Sequence, residues 1–109
     1  MPVAIALAWV GVFVWLSLQP ASRAAALGRA QDQQALVEQG NKLFNPTCSN
    51  AYCHGAGGAN GSAPTLRGRN FTAEYLTRVI SDGVPGTRMA GFKKDHSPEE
   101  VRALVAYVM

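Results

Sequence analysis

Both cysteines of this 109-residue chain fall in one stretch, Cys48-Ser49-Asn50-Ala51-Tyr52-Cys53-His54, with a histidine directly behind the second. No other stretch constrains the chain as much. Two thiols and an adjacent imidazole read as a covalent haem attachment site of the C-x-x-C-H kind: the thiols add to two vinyl groups and the imidazole becomes an axial iron ligand. The histidine has to follow at once, because a thioether holds the haem edge against the chain and only the next side chain reaches the iron from that face. Here four residues separate the cysteines where two are usual. On a regular helix residues i and i+3 lie about 60° apart but i and i+5 about 140° apart, so Cys48 and Cys53 cannot both meet one haem edge from an undistorted helix. Residues 49–52 are therefore expected to bulge as a wider turn, or one thioether to be missing. Two further readings of the same residues stand beside this one. The first is a disulfide between Cys48 and Cys53 in an exported protein, with His54 on the surface. The second is a zinc site, for which two thiols and one imidazole fall one ligand short of the usual four.

Residues 3–18 carry no charge and are almost wholly apolar, and Gln19-Pro20 and then Ala21-Ser22-Arg23-Ala24-Ala25-Ala26 follow. That pattern reads as an export segment. Ser22-x-Ala24 and Ala24-x-Ala26 offer the small-residue pattern that signal peptidase cleaves, and the apolar run is slightly short for a comfortable span. No Lys or Arg precedes the run, and Arg23 and Arg29 follow it, so retention as an anchor stays open beside cleavage. The expected organisation is a signal peptide or N-terminal membrane anchor over 1–26 and one small domain over 27–109. Its place would be the periplasm, free or membrane-anchored. A domain of that size has a marginal apolar core, and a buried haem would supply the missing apolar volume. No nucleic-acid partner is expected, and membrane contact only if the N-terminal segment is retained.

An all-α architecture follows from the remaining patterns. Asp32 to Phe44 reads as a helix, with Leu36, Val37, Gly40, Leu43 and Phe44 on one face and Asn45-Pro46 ending it. Glycine in mid-helix costs about 1 kcal/mol relative to alanine, so Gly40 implies a closely approaching neighbour, expected to be the last helix. Residues 55–64, rich in glycine and turn formers, read as a loop wrapping the haem; it ends at Pro64-Thr65-Leu66, where Leu66 returns the chain to the core. Thr72 caps a short helix to about Ser81, whose stripe of Tyr75, Leu76, Val79 and Ile80 is expected to serve both core and haem pocket. Residues 82–92 form a loop with three glycines and a proline around Met89, the only internal methionine. A lone methionine is usually gap-filling core. On a loop opposite His54, its sulfur can take the second axial position. Ser97-Pro98-Glu99-Glu100 opens the last helix with a capping box and proline at the first helical position, and Val101, Leu104, Val105 and Val108 are its buried side.

Together these pieces resemble a small bacterial class I, His/Met-ligated cytochrome c with a C-x4-C-H motif, over residues 36–109. In that family a Gly and an aromatic four residues apart on the first helix cross a Leu and an aromatic three apart on the last, matched by Gly40/Phe44 and Leu104/Tyr107. The resemblance implies crossed terminal helices, with short helices and loops around one covalent haem c. It implies iron held by His54 and Met89, thioethers at Cys48 and Cys53, and a Pro64 carbonyl that accepts the proton on the other imidazole nitrogen of His54. Leu66 and Ile80 would complete the haem contacts. Such a protein is an electron carrier rather than an enzyme. Its partners would be redox proteins: a respiratory oxidase, a reductase or a dehydrogenase, within which it could equally serve as a relay subunit. A haem-free exported binding domain with a disulfide is the reading from another class. Arg67, Arg69, Arg88, Lys93 and Lys94 either form a basic rim that steers acidic partners or are ordinary solvated charge. His96, beside a helix cap, is expected to be solvated.

Overall fold

The computed structural model describes residues 19–109; the apolar run 3–18 lies outside them. The chain divides into two compact units, Met1–Asp32 and Gln33–Met109. Among the described residues there are three α-helices and one short 3-10 turn, with no strand. We label the helices α1 (Gln19–Thr47), α2 (Ala73–Asp82) and α3 (Pro98–Val108); the 3-10 turn is Ala56–Gly58. None of the described helices is long and apolar enough to cross a membrane.

α1 is longer than its apolar stripe predicts at both ends. Upstream of Asp32 the residues are rich in alanine, the best helix former, so the helix persists there without an amphipathic face. Downstream it runs through Asn45-Pro46 to Thr47, where a stop at Phe44 was expected. Pro46 removes one N–H and one i−4 bond, which a last turn tolerates better than an interior one, and the Cys48 N–H still donates to the Phe44 carbonyl at 2.8 Å.

Within Gln33–Met109, α1 and α3 cross where Gly40 was expected to meet the last helix. A Cβ built on Gly40 would lie 2.7 Å from the Ala103 carbonyl carbon and from Tyr107 Cβ, and closer still to the Ala103 carbonyl oxygen. Only glycine allows that approach. Phe44 and Leu104 are each 2% exposed, and the Phe44 and Tyr107 rings pack 5.1 Å apart. α2 and α3 close the second side of the core, with Leu76, Val101 and Val105 buried and Phe71, Ile80 and Val108 packed against them.

Both predicted caps are formed. Thr72 Oγ1 accepts from the Tyr75 N–H at 3.2 Å, and α2 ends at Asp82, one residue later than expected. Ser97 Oγ accepts from the Glu100 N–H at 3.2 Å while Glu100 Oε2 accepts from the Ser97 N–H at 2.8 Å, with Pro98 at the start of the helix. Ser97→Ala is expected to cost about 1 kcal/mol and lower the thermal midpoint by roughly 5 °C, measured by circular dichroism.

Candidate functional site

α1 delivers the chain into a wide turn over residues 48–54. The His54 N–H donates to the Cys48 carbonyl at 3.1 Å, and the N–H groups of Cys53 and Gly55 both donate to the Asn50 carbonyl, at 3.0 and 3.1 Å. Asn50 Oδ1 accepts from the Tyr52 N–H at 3.1 Å, and the Ser62 hydroxyl donates to the Tyr52 carbonyl at 2.7 Å. The four-residue spacer, two longer than usual, thus forms the expected bulge, with Tyr52 78% exposed on it. Gly61 makes this closure possible: a Cβ there would lie 2.5 Å from the His54 carbonyl carbon.

No disulfide joins Cys48 and Cys53; both are half-buried thiols. Burial, and after it the neighbouring Cys53, push the Cys48 thiol up to about 11, so it stays protonated at neutral pH and is a poor nucleophile for disulfide formation. Both thiols line an apolar cavity of about 500 Å³, and so do His54 and Met89. Pro64, Leu66 and Ile80 line the same cavity, so every site residue expected from the sequence is on its wall.

His54 is half-buried, its ring 6.4 Å from that of Phe44. Its Nδ1 is enclosed and has no hydrogen-bond partner. The bond to the Pro64 carbonyl that the resemblance implies is therefore not formed in this structure, although Pro64 lies on the same wall. A buried ring nitrogen without a partner costs about 1–3 kcal/mol, and such a group marks a place where a ligand or acceptor belongs. Met89 sits half-buried in the loop after α2, where its N–H donates to Thr87 Oγ1 at 3.1 Å and its carbonyl accepts from the Val84 N–H at 3.0 Å.

The residues fit a haem. The wall is apolar where a porphyrin face would lie, two thiols wait at one side, and an imidazole and a thioether share the space. Among the described residues no three His, Cys, Asp or Glu side chains converge on a point that could hold a metal. His54 and Met89 offer two donors, the number that a porphyrin-bound iron has left to fill.

Three features of the wall were not singled out by sequence reasoning. Tyr52, in the spacer between the cysteines, lies on it. Phe92 closes it from the far end of the Met89 loop, and Thr87 steadies that loop. A hydroxyl two residues before the methionine was the available signal. Of the five basic residues weighed as a rim or as ordinary solvated charge, Arg69 and Arg88 line the cavity. Arg67 donates instead to the Gly57 carbonyl at 2.7 Å, and Lys93 pairs with Asp82 at 2.9 Å. His96 departs from expectation: only 13% of its side chain is exposed.

Residues 35–108 match the family described as cytochrome C oxidase, cbb3-type, subunit III. The chain belongs to this family of c-type cytochromes. This cytochrome c chain is also 37% identical over 78 residues to dihydro-heme d1 dehydrogenase of Pseudomonas aeruginosa, a stretch that covers 69% of the chain. It spans only 15% of that relative's length. No solved structure matches it. As a member of this family of c-type cytochromes the chain takes covalently bound haem c.

Proposed function

We propose that the chain is a one-electron carrier of the periplasm, with its haem bound through Cys48 and Cys53 and its iron held between His54 and Met89. The observation that carries this reading is the meeting of those four side chains on one apolar cavity. Bound haem supplies a one-electron Fe(III)/Fe(II) couple. Cys48 and Cys53 would hold the haem as thioethers, each S–H adding across a vinyl C=C with sulfur to one carbon and hydrogen to the other, without net change of oxidation state. His54 would hold the iron through one ring nitrogen, and the Pro64 carbonyl would accept the proton on the other. Met89 would supply a soft sulfur, which favours the ferrous state and would raise the potential relative to two-histidine ligation. With His54 and Met89 both given to the iron, a small substrate would have no place to bind. Phe44, Leu76 and Leu104, each nearly fully buried, keep water from the interior of the cavity.

Export is supported by the apolar run 3–18 and the small residues after it; residues 1–26 are assigned as signal peptide or anchor and 27–109 as the cytochrome domain. Arg69 and Arg88 at the cavity suit a partner with an acidic docking face, such as a respiratory oxidase, reductase or dehydrogenase. A second reading has a specific observation in its favour. Both comparisons name larger redox systems, and the relative is matched over a small part of its length, as for an electron-relay module of a dehydrogenase or oxidase. Copurification with such an enzyme separates the two.

The test is the mass of the protein exported together with haem-maturation machinery. It is expected to exceed the polypeptide by one haem and to survive acid-acetone extraction, with a pyridine haemochrome spectrum showing no remaining vinyl. An unreacted vinyl contradicts attachment through both cysteines.

A further inference from the structure

Met89 is carried on a loop, 83–92, that leaves the end of α2 and comes back onto its last turn. The Phe92 N–H donates to the Ile80 carbonyl at 2.9 Å and the Lys93 N–H to the Ser81 carbonyl at 3.2 Å, so the returning limb is tied to the helix by backbone. Two glycines sit where the limbs touch. A Cβ on Gly91 would lie 2.6 Å from the Ser81 carbonyl oxygen and 2.7 Å from the Asp82 carbonyl carbon. One on Gly83 would lie 2.6 Å from the Met89 carbonyl oxygen and 2.7 Å from the Gly91 nitrogen. Every obstacle is a backbone atom, so no rotamer change makes room. Gly83 has a second reason to be glycine, a φ of +75°, which side-chain-bearing residues rarely adopt. Gly86, in the turn midway along the loop, shares that backbone conformation at φ +76°, but a Cβ there would meet nothing within 4 Å. The Lys93–Asp82 ion pair also spans the neck at 2.9 Å, yet its side chains are 64% and 54% exposed, and a pair so exposed holds little.

We propose that Gly83 and Gly91 are positioning residues for Met89: they let the limbs of its loop close to backbone contact, and that closure holds the thioether at the cavity wall. This rests on the reading that Met89 is the second axial ligand. A methionine side chain has three rotatable bonds, so its sulfur keeps one place only if its backbone does. The atom that faces Gly83 is the carbonyl oxygen of Met89 itself, so widening the neck there displaces the ligand residue directly. Widening it at Gly91 pushes the returning limb away from Ser81 and Asp82. Either change favours a second state of the loop, with its limbs apart, the sulfur off the wall and the three helices intact. Glycine at both positions keeps that state minor.

The test compares the holoproteins of the parent, Gly83→Ala, Gly91→Ala, Gly86→Ala and Lys93→Ala. Three signals are read: the sulfur-to-iron band of the oxidised form, carbon monoxide uptake by the ferrous form, and helical circular dichroism. The fraction of molecules with the sulfur off iron is expected to rise roughly tenfold or more in Gly83→Ala and Gly91→Ala, with the helical signal kept. Gly86→Ala strains the same loop without a clash and Lys93→Ala removes only the exposed pair, so both should match the parent. An unchanged band and carbon monoxide uptake in Gly91→Ala, or an equal loss in Gly86→Ala, overturns the proposal. Should Gly83→Ala or Gly91→Ala give no folded holoprotein, hydrogen exchange of the parent decides. The Phe92 and Lys93 N–H groups should then open together with loss of the band in mild denaturant, below the global midpoint, and opening that leaves the band intact overturns the proposal. A parent that lacks the band and binds carbon monoxide sinks the ligand reading and this proposal with it, whereas a parent with the band and an indifferent Gly91→Ala sinks this proposal alone.

Discussion

Gly40→Val is expected to destabilise the domain by about 3 kcal/mol through overpacking at the helix crossing. The substitution gains a little, since removing glycine from a helix interior recovers up to about 1 kcal/mol of propensity, less for a β-branched residue. It loses far more. The first carbon of any side chain at position 40 falls 2.7 Å from both the Ala103 carbonyl carbon and Tyr107 Cβ, a separation that real Cβ atoms do not adopt. Those atoms are backbone or backbone-adjacent, so no rotamer change relieves the clash. α1 and α3 must separate, and the packing of Phe44 on Tyr107 and of Leu104 in the core goes with them. With a guanidinium m-value of about 2 kcal/mol/M for a domain of this size, the unfolding midpoint should fall by roughly 1.5 M. The haem spectrum should survive at low temperature, because the attachment residues lie outside the crossing. An unchanged midpoint would mean that the helices do not meet at Gly40.

Met89→Ala is expected to open a coordination position, lower the reduction potential and let carbon monoxide bind the ferrous haem, while both thioethers remain. A thioether is a soft ligand that stabilises Fe(II), and a methyl group offers the iron nothing in its place. Met89→His should restore a filled position at a lower potential, since imidazole is the harder donor. The weak sulfur-to-iron charge-transfer band at the red end of the oxidised spectrum should vanish in both variants. The loop itself should hold, because its contacts run through the backbone: the Met89 N–H to Thr87 Oγ1 and the Met89 carbonyl to the Val84 N–H do not depend on the side chain.

What could be read from the sequence was what is decided locally. The capping box at Ser97-Pro98-Glu99-Glu100 formed as written, because every group in it lies within one turn. Gly40 announced its crossing because a glycine inside a helix carries a cost that only close packing explains. The four-residue spacer between the cysteines could be read as a bulge from helical angles alone, and residues 48–54 close in that way. Where tertiary context decides, the reading fell short. Pro46 sits in a last turn that tolerates it, so α1 ran past its expected stop. His96 looked solvated beside a cap, but Phe92 and Glu100, brought to it by the turn into α3, cover most of the ring. Proximity in the chain left five cations open as either a rim or solvated charge; the fold carries Arg69 and Arg88 to the cavity and ties Arg67 and Lys93 elsewhere. The residues expected to hold the haem share one cavity because the Ser62 and Ala63 N–H groups tie 62–66 to the carbonyls of Ala51 and Cys53, while α2 carries Ile80 to the same wall and leads into the Met89 loop.

The central claim is that the iron is saturated by this chain's own side chains and therefore passes electrons only. Its most direct test is the optical spectrum of the reduced parent holoprotein at neutral pH before and after addition of carbon monoxide. The account predicts a covalent haem spectrum that carbon monoxide leaves unchanged, together with the sulfur-to-iron band in the oxidised form. Ready carbon monoxide binding by the parent would contradict it, and the protein would then be a ligand-binding or sensing haem domain rather than a carrier.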